Sequence, residues 1–376
     1  MQGEGKTLMP TPVTGQIRVG IIGAGLIGQL HSMMLRYVAD RTEQSVRVVS
    51  VADVSHPAAE SLAARWQGAK ALESAEEIIA DPSIDAVWIC TPTAMHRKVC
   101  IAAACAGKHI FCEKPLAMTA TEASAMAAAI KTSDVISQVG LVLRFSPVYN
   151  VIKAMFEQPD VGKLLSVTMR DDQDFPTRGA HASAWRNDSS LTAGGTLIEH
   201  SVHDFDLLTW MFGPVTSLYC RTRNLNGADG VEDFGATSME FAGGGHGQLT
   251  SIWHRMIARA SNRRLEVFAE NLFAASDADT LGPIVSQRGS AANEETIAAD
   301  IVMAKFTEKI LRERPYLAPI KDRLMIPYAA EDATFVAALK GACEPDPEFA
   351  AGVAVQRTVE AAYQSARSGV PVQIKS

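Results

Sequence analysis

A chain of 376 residues is longer than one ordinary hydrophobic core serves, so two domains are expected. With 47% apolar and 20% charged residues, the composition is that of a globular protein with a large core and excludes disorder. A formal net charge of −7 without a long basic run argues against a nucleic-acid or anionic-membrane surface, and no apolar stretch is long enough to span a bilayer.

Residues 1–15 carry Gly, Pro and Thr but no apolar core, so they read as a flexible tail and not as a signal peptide. From Ile17 to about Val139, short β-branched runs alternate with Ala-rich helical stretches. Strands are predicted at Ile17 to Ile22, Val46 to Ala52, Ala86 to Cys90, His109 to Cys112 and Val135 to Val139, with helices starting near Leu26, Pro57, Ala75, Ala94 and Thr119. This alternation predicts an α/β domain over residues 16–145, a doubly wound parallel sheet with helices on both faces.

Beyond Phe145 the rhythm changes. A helix over Pro147 to Phe156, a strand over Lys163 to Met169, a polar loop over Arg170 to Ala193 and a helix over Gly195 to Phe212 come first. Strands over Thr216 to Arg223, Phe234 to Phe241, Gly247 to Trp253 and Leu265 to Glu270, joined by short turns, predict a largely antiparallel sheet. The end, Tyr328 to Arg367, is helical and broken at Glu344 to Pro347, making residues 146–376 an α+β domain. The six cysteines, Cys90, Cys100, Cys105, Cys112, Cys220 and Cys343, show no metal-ligand spacing. They read as reduced, buried thiols of a cytoplasmic protein, and no metal is expected.

In Gly23-Ala24-Gly25-Leu26-Ile27-Gly28 an apolar strand runs through three glycines into a helix. Glycines let the backbone approach a pyrophosphate, whose charge is met by the amides at the helix start. Asp53 ends the second strand, where a carboxylate accepts hydrogen bonds from a ribose and repels a 2′-phosphate, so NAD is favoured over NADP. Thr91-Pro92-Thr93, with His96 in the following helical turn, forms a loop at the same sheet edge and supplies hydroxyls and amides to the cofactor. Glu113-Lys114-Pro115 closes the next strand; a residue before proline is held extended, so Lys114 ends its strand beside the nicotinamide, with Glu113 adjoining it.

A second dense cluster is Glu199-His200-Ser201-Val202-His203-Asp204-Phe205-Asp206. On one continuous helix Glu199, His203 and Asp206 share a face. Histidine titrates nearest neutrality, so His203 is the candidate proton acceptor for an alcohol and donor to a ketone. Lys114 would orient and polarise the oxygen, with the two roles open to exchange, and Glu199 would accept from a substrate hydroxyl or from Lys114.

These four motifs, in this order, resemble the glucose-fructose oxidoreductase and inositol dehydrogenase family, Gfo/Idh/MocA, over almost everything from Ile17 onward. The resemblance implies an N-terminal Rossmann domain and a C-terminal open sheet that supports homodimers or homotetramers. It also implies NAD(P)-dependent redox chemistry on sugars, cyclitols or their keto forms. It places the catalytic lysine at Lys114, the histidine at His203 and the acidic partner at Glu199, where aspartate is usual, and it leaves the helix intact at Ser201. It further implies substrate contacts from Arg144, Trp185, Arg186 and His254. Two alternatives share the same fold: an NAD-dependent glycosidase working through transient oxidation, and a ligand-sensing regulator without chemistry.

Overall fold

Apolar runs with few breaks suit strands covered on both faces, and the first domain uses them in that way. The computed structural model describes residues 11–41, 45–177, 182–256, 259–290, 293–317 and 326–374. Its first sheet contains β1 (Ile17–Ile22), β2 (Val46–Ala52), β3 (Lys70–Leu72), β4 (Ala86–Ile89), β5 (His109–Glu113) and β6 (Ser137–Gly140). All are parallel, in the order β3-β2-β1-β4-β5-β6. Helices α1 (Leu26–Arg41), α2 (His56–Ala63), α3 (Ala75–Ala80), α4 (Thr93–Cys105) and α5 (Ala120–Ser133) connect them. Strand order reverses between β1 and β4, which opens the crevice at their carboxyl ends where ligands collect in such sheets. The short β3 was not predicted, because Lys70-Ala71-Leu72 is too brief and too half-exposed to carry a periodicity.

The second domain begins with α6 (Pro147–Phe156), β7 (Leu164–Asp174), α7 (Thr196–Glu199) and α8 (Val202–Phe212). A run of strands follows: β8 (Val215–Arg223), β9 (Phe234–Phe241), β10 (His246–His254), β11 (Asn262–Ala269), β12 (Leu272–Ser276), β13 (Ile284–Arg288) and β14 (Glu295–Ile297). The chain ends with α9 (Ala299–Glu313), α10 (Ile326–Leu339), α11 (Phe349–Ser368) and β15 (Val372–Gln373). The strands form one sheet in the order β14-β13-β12-β11-β7-β10-β9-β8-β15. Its ladders are antiparallel except for β7 against β10, which run parallel at the centre. Alternating burial along β9 and β11 shows one face packed under helices and the other open.

Several sequence expectations need correction. The strand predicted to stop at Met169 continues to Asp174, because Asp171 and Asp172 meet Arg263 and Arg259 and can stay in the sheet; the polar loop is correspondingly shorter. The helix predicted over Gly195 to Phe212 is two helices, broken at His200 and Ser201. Strands β12 to β15 and helix α9 were not foreseen. The cysteines are free, but Cys105 is exposed and Cys343 only half-buried. Of the expected tail, residues 1–10 lie outside the described residues, while the Val13 amide is held by the Leu339 carbonyl at 2.8 Å. Among the described residues no helix is long and apolar enough to cross a membrane.

Candidate active site

The glycine turn between β1 and α1 has the shape a dinucleotide requires. Gly23 has φ of 103°, and a Cβ there would lie 2.5 Å from the Cys90 carbonyl oxygen; a Cβ on Gly28 would lie 2.0 Å from the Gly23 carbonyl oxygen. Gly25, in contrast, has no protein atom within 4 Å of where a Cβ would sit, so its backbone borders open space at the start of α1. Leu26 and Ile27 open that helix, Leu26 half exposed, and no acidic side chain in the first turn opposes an anion. Asp53 braces the turn, one carboxylate oxygen accepting from the Ala24 amide at 2.7 Å and the other from the Ser55 amide at 2.8 Å. In the loop after β4, the Thr91 hydroxyl is buried without a partner, an unmet polar group at the crevice edge. These features fit a bound dinucleotide.

His96 has another task than the one its position suggested. Its two ring nitrogens lie 2.8 Å from the carbonyl oxygens of Pro115 and Thr91, so it ties the Thr91-Pro92-Thr93 loop to the Lys114-Pro115 loop and offers no free nitrogen to a cofactor. Thr93 begins α4, just after Pro92, and donates its hydroxyl to Glu199 at 2.9 Å. The Glu113 carboxylate is turned into the protein, onto His31 and the Lys114 amide, and not toward the crevice.

The break between α7 and α8 brings the domains together. The Ser201 amide closes back on the Thr196 carbonyl at 2.8 Å, ending α7, while the His203 amide turns to the His200 carbonyl at 3.2 Å. The carbonyl of Glu199 is thereby released from helical bonding, and the Lys114 amine donates to it at 2.8 Å. The expected contact of Lys114 with the Glu199 carboxylate is replaced by this one. That carboxylate instead accepts from Thr93 and, at 3.2 Å, from the Ala193 amide. The start of α7 is fixed by the buried Glu232, whose carboxylate takes the Gly195 and Leu197 amides at 2.7 and 2.9 Å.

Lys114 is pushed down to about 8, by burial first and then by the charge of Arg186. His203, buried in the first turn of α8, is held well below the ordinary imidazole range by burial and by the nearby Lys114 and Arg263. Its Nδ1 has no hydrogen-bond partner. His200 also lies low, through burial and the Arg263 guanidinium that its Nε2 meets.

Behind these rings sits a buried charge network not foreseen from the sequence. Arg263 on β11 donates to Asp204 at 2.7 Å, to Asp279 at 2.8 Å and to Asp171 at 3.3 Å. Burial, opposed by Arg263, lifts Asp204 to about 7. The four partners are 16 to 92 residues from Arg263 in the chain, and no local spacing could have announced them. His31, described below, was equally hidden, its one signal being its place three residues after Gly28.

The expected substrate contacts divide. Arg144 is committed to Asp206 by two bonds of 2.8 and 2.6 Å, which also removes Asp206 from the face shared by Glu199 and His203. His254 is buried, its Nδ1 accepting from the Met256 amide at 3.2 Å and its Nε2 3.7 Å from Asp172. Trp185 and Arg186 occupy a 3-10 turn over Ala184–Asn187, the guanidinium 5.1 Å from the indole centre, and the charge of Arg186 reaches both Lys114 and His200. His31, Glu113 and Glu331 bring potential metal-ligand atoms within 4.8 Å of one another, but both nitrogens of His31 are engaged by carboxylates and leave no lone pair for an ion.

Comparison with known proteins agrees with this architecture. The profile described as the oxidoreductase family, NAD-binding Rossmann fold, of GFO/IDH/MocA matches residues 17–141, and that of the GFO/IDH/MocA C-terminal domain matches residues 149–272. The uncharacterized oxidoreductase YrbE of Bacillus subtilis (strain 168) is 29% identical over 370 residues, 96% of this chain and 98% of the relative. The scyllo-inositol 2-dehydrogenase (NAD(+)) of the same organism is 32% identical over 240 residues, 62% of this chain and 66% of the relative. The solved levoglucosan dehydrogenase in complex with NADH and levoglucosan shares the fold with a TM-score of 0.85 at 23% identity, over 96% of this chain and 100% of that one.

Proposed function

This chain belongs to the Gfo/Idh/MocA family of NAD-binding oxidoreductases acting on CH-OH groups, and we propose that it transfers a hydride between NAD and a secondary alcohol or ketone of a sugar, cyclitol or sugar derivative, with Lys114 and His203 handling the proton. The observation that carries the reading is the bond from the Lys114 amine to the Glu199 carbonyl, which sets an amine of the first domain beside the helix of the second that bears His203.

NAD, when bound, supplies the hydride acceptor or donor. The protein's groups hold the oxygen and move its proton. His203, kept neutral by burial and by the Lys114 charge, takes the carbinol proton as a general base and returns it in the reverse direction. Lys114, near 8, is an ammonium over most of the neutral range and donates to the oxygen as negative charge develops on it. The Glu199 carboxylate, bound to Thr93, pins α7 against the loop on the cofactor side and so fixes the approach of His203 to Lys114. The polyol substrate class is supported by the relatives, an inositol dehydrogenase and a levoglucosan dehydrogenase.

The test is to offer the purified protein a panel of sugars and cyclitols with NAD and NADP separately, following free NADH. Lys114→Met should abolish turnover by orders of magnitude and leave NAD affinity within about threefold. If NAD binding is lost instead and turnover merely follows occupancy, Lys114 is a cofactor residue and the mechanism is wrong. Turnover without net NADH would replace the dehydrogenase by glycosidic cleavage.

A further inference from the structure

One buried cluster takes no part in the chemistry above yet touches the residue next to Lys114. His31, in the second turn of α1, is completely buried between two carboxylates. Its Nδ1 lies 2.9 and 3.1 Å from the two oxygens of Asp332 on α10, and its Nε2 lies 2.9 Å from Glu113 Oε1 on β5. Asp332 also accepts from the Trp88 indole N–H at 2.9 Å, while the other oxygen of Glu113 accepts from the Lys114 amide at 3.1 Å. Carboxylates on both nitrogens require both to donate, so the ring is an imidazolium. Glu113 has little freedom to leave: a Cβ on Gly140 of β6 would stand 2.7 Å from its Oε1.

We propose that His31 is a positioning residue for the reaction: its imidazolium, clamped between Asp332 and Glu113, fixes the backbone of Lys114 at the end of β5 and balances the charge of the Glu113 carboxylate that holds the Lys114 amide. The proposal rests on the reading of Lys114 as the group that holds the substrate oxygen.

The charges around the cluster close. Burial disfavours the charge on His31, but Asp332 and Glu113 hold the ring well above its usual range. Burial likewise opposes the charge on Glu113, and His31 keeps that carboxyl below its usual range. Glu331, beside Asp332 on α10 and with both carboxyl oxygens unpartnered, is raised well above the carboxylate range by burial and by Glu113. Tyr328, one turn earlier, faces His31 edge-on with ring centres 6.2 Å apart, and burial pushes its phenol up, out of the working range. His31 is thus paired with Glu113 and Asp332, while Lys114 feels Arg186, Glu199 and Arg263 besides Glu113. Glu113 favours the ammonium of Lys114, and His31 draws on that same carboxylate.

The experiment compares His31→Gln, Glu113→Gln and Lys114→Met in the full-length protein, reading kcat, KM, NAD affinity, thermal unfolding and the alkaline limb of the kcat/KM profile. His31→Gln leaves the Glu113 carboxylate uncompensated, so the alkaline limb should move up by about half to one unit and kcat should fall about 10- to 100-fold, with NAD affinity within about threefold. Glu113→Gln removes the favouring charge, so the same limb should move down. A merely structural role lowers the unfolding temperature without driving the two limbs in opposite directions. If both variants fold and keep the wild-type limb, the proposal is overturned; if His31→Gln does not fold, an unmoved limb in Glu113→Gln overturns it alone. Retained turnover in Lys114→Met would sink the reading of Lys114 itself, an outcome distinct from silence of the His31 variant.

Discussion

In the first domain the side of the crevice that faces the cofactor is made of turns, each short in sequence and shaped by glycine, proline or threonine. The second domain makes its side from buried charges gathered from β7, α8, β11 and the segment after β12 onto Arg263. The contrast separates two ways of fixing geometry. A turn holds its shape through local backbone sterics and tolerates change wherever a Cβ finds room. A buried ion network holds its shape only while every charge keeps its partner.

The largest effect expected of any single change is therefore in the second domain. Arg263→Met fits the stem but leaves Asp171, Asp204 and Asp279 without their common cation, and should cost about 3–5 kcal/mol in chemical denaturation. A loss under about 1 kcal/mol would mean that these carboxyls are already neutral or solvated and that the network is no scaffold.

Two glycines of one turn sharpen the other side of the contrast. In Gly28→Ala the new Cβ meets the Gly23 carbonyl oxygen at 2.0 Å, so the turn must shift, at a cost of about 1–3 kcal/mol and with loss of NAD binding. Gly25→Ala meets no protein atom within 4 Å and should leave unfolding unchanged, while weakening NAD about tenfold or more because the methyl group occupies the cofactor's approach. Calorimetric titration with NAD on both variants separates the two cases. Wild-type affinity in Gly25→Ala would place the pyrophosphate elsewhere.

The pH dependence joins the two halves, since each contributes one titrating group. In the oxidation direction kcat/KM should rise through a limb below the usual imidazole range as His203 loses its proton. It should then fall through about 8 as Lys114 loses its own. Ketone reduction needs His203 protonated, so its optimum should lie on the acid side of that for oxidation. Coincident profiles in the two directions would remove His203 from proton transfer.

What was legible from the sequence follows the same division. Gly23, Gly25 and Gly28, the Thr91 loop and Lys114 before Pro115 announce themselves because the backbone demand is local and only a few residue types meet it. The helix bearing Glu199 and His203 was read correctly as a helical region but wrongly as unbroken. The break depends on Glu232 capping α7, and on Ser201, whose hydroxyl lies 2.6 Å from that of Ser251, partners 35 to 50 residues away. For the same reason Arg144 was expected among the substrate contacts, when Asp206 holds it. Long-range pairing of charges leaves no periodicity, so Arg263, Asp171 and the His31 cluster were invisible.

Asp53 tests whether even a legible residue has only the role its position suggests. Its carboxylate could discriminate against a 2′-phosphate, but it already accepts the Ala24 and Ser55 amides and braces the turn. Asp53→Ser removes the negative charge and shortens the brace. If the charge selects the cofactor, NAD should weaken while NADP tightens, narrowing the preference by about tenfold, or about 1.4 kcal/mol. If the brace is its whole contribution, both nucleotides should weaken together and their ratio should stay fixed. The selective outcome is the expected one, because a 2′-phosphate beside a carboxylate is a like-charge contact that no lysine or arginine in Val54 to Glu60 offsets.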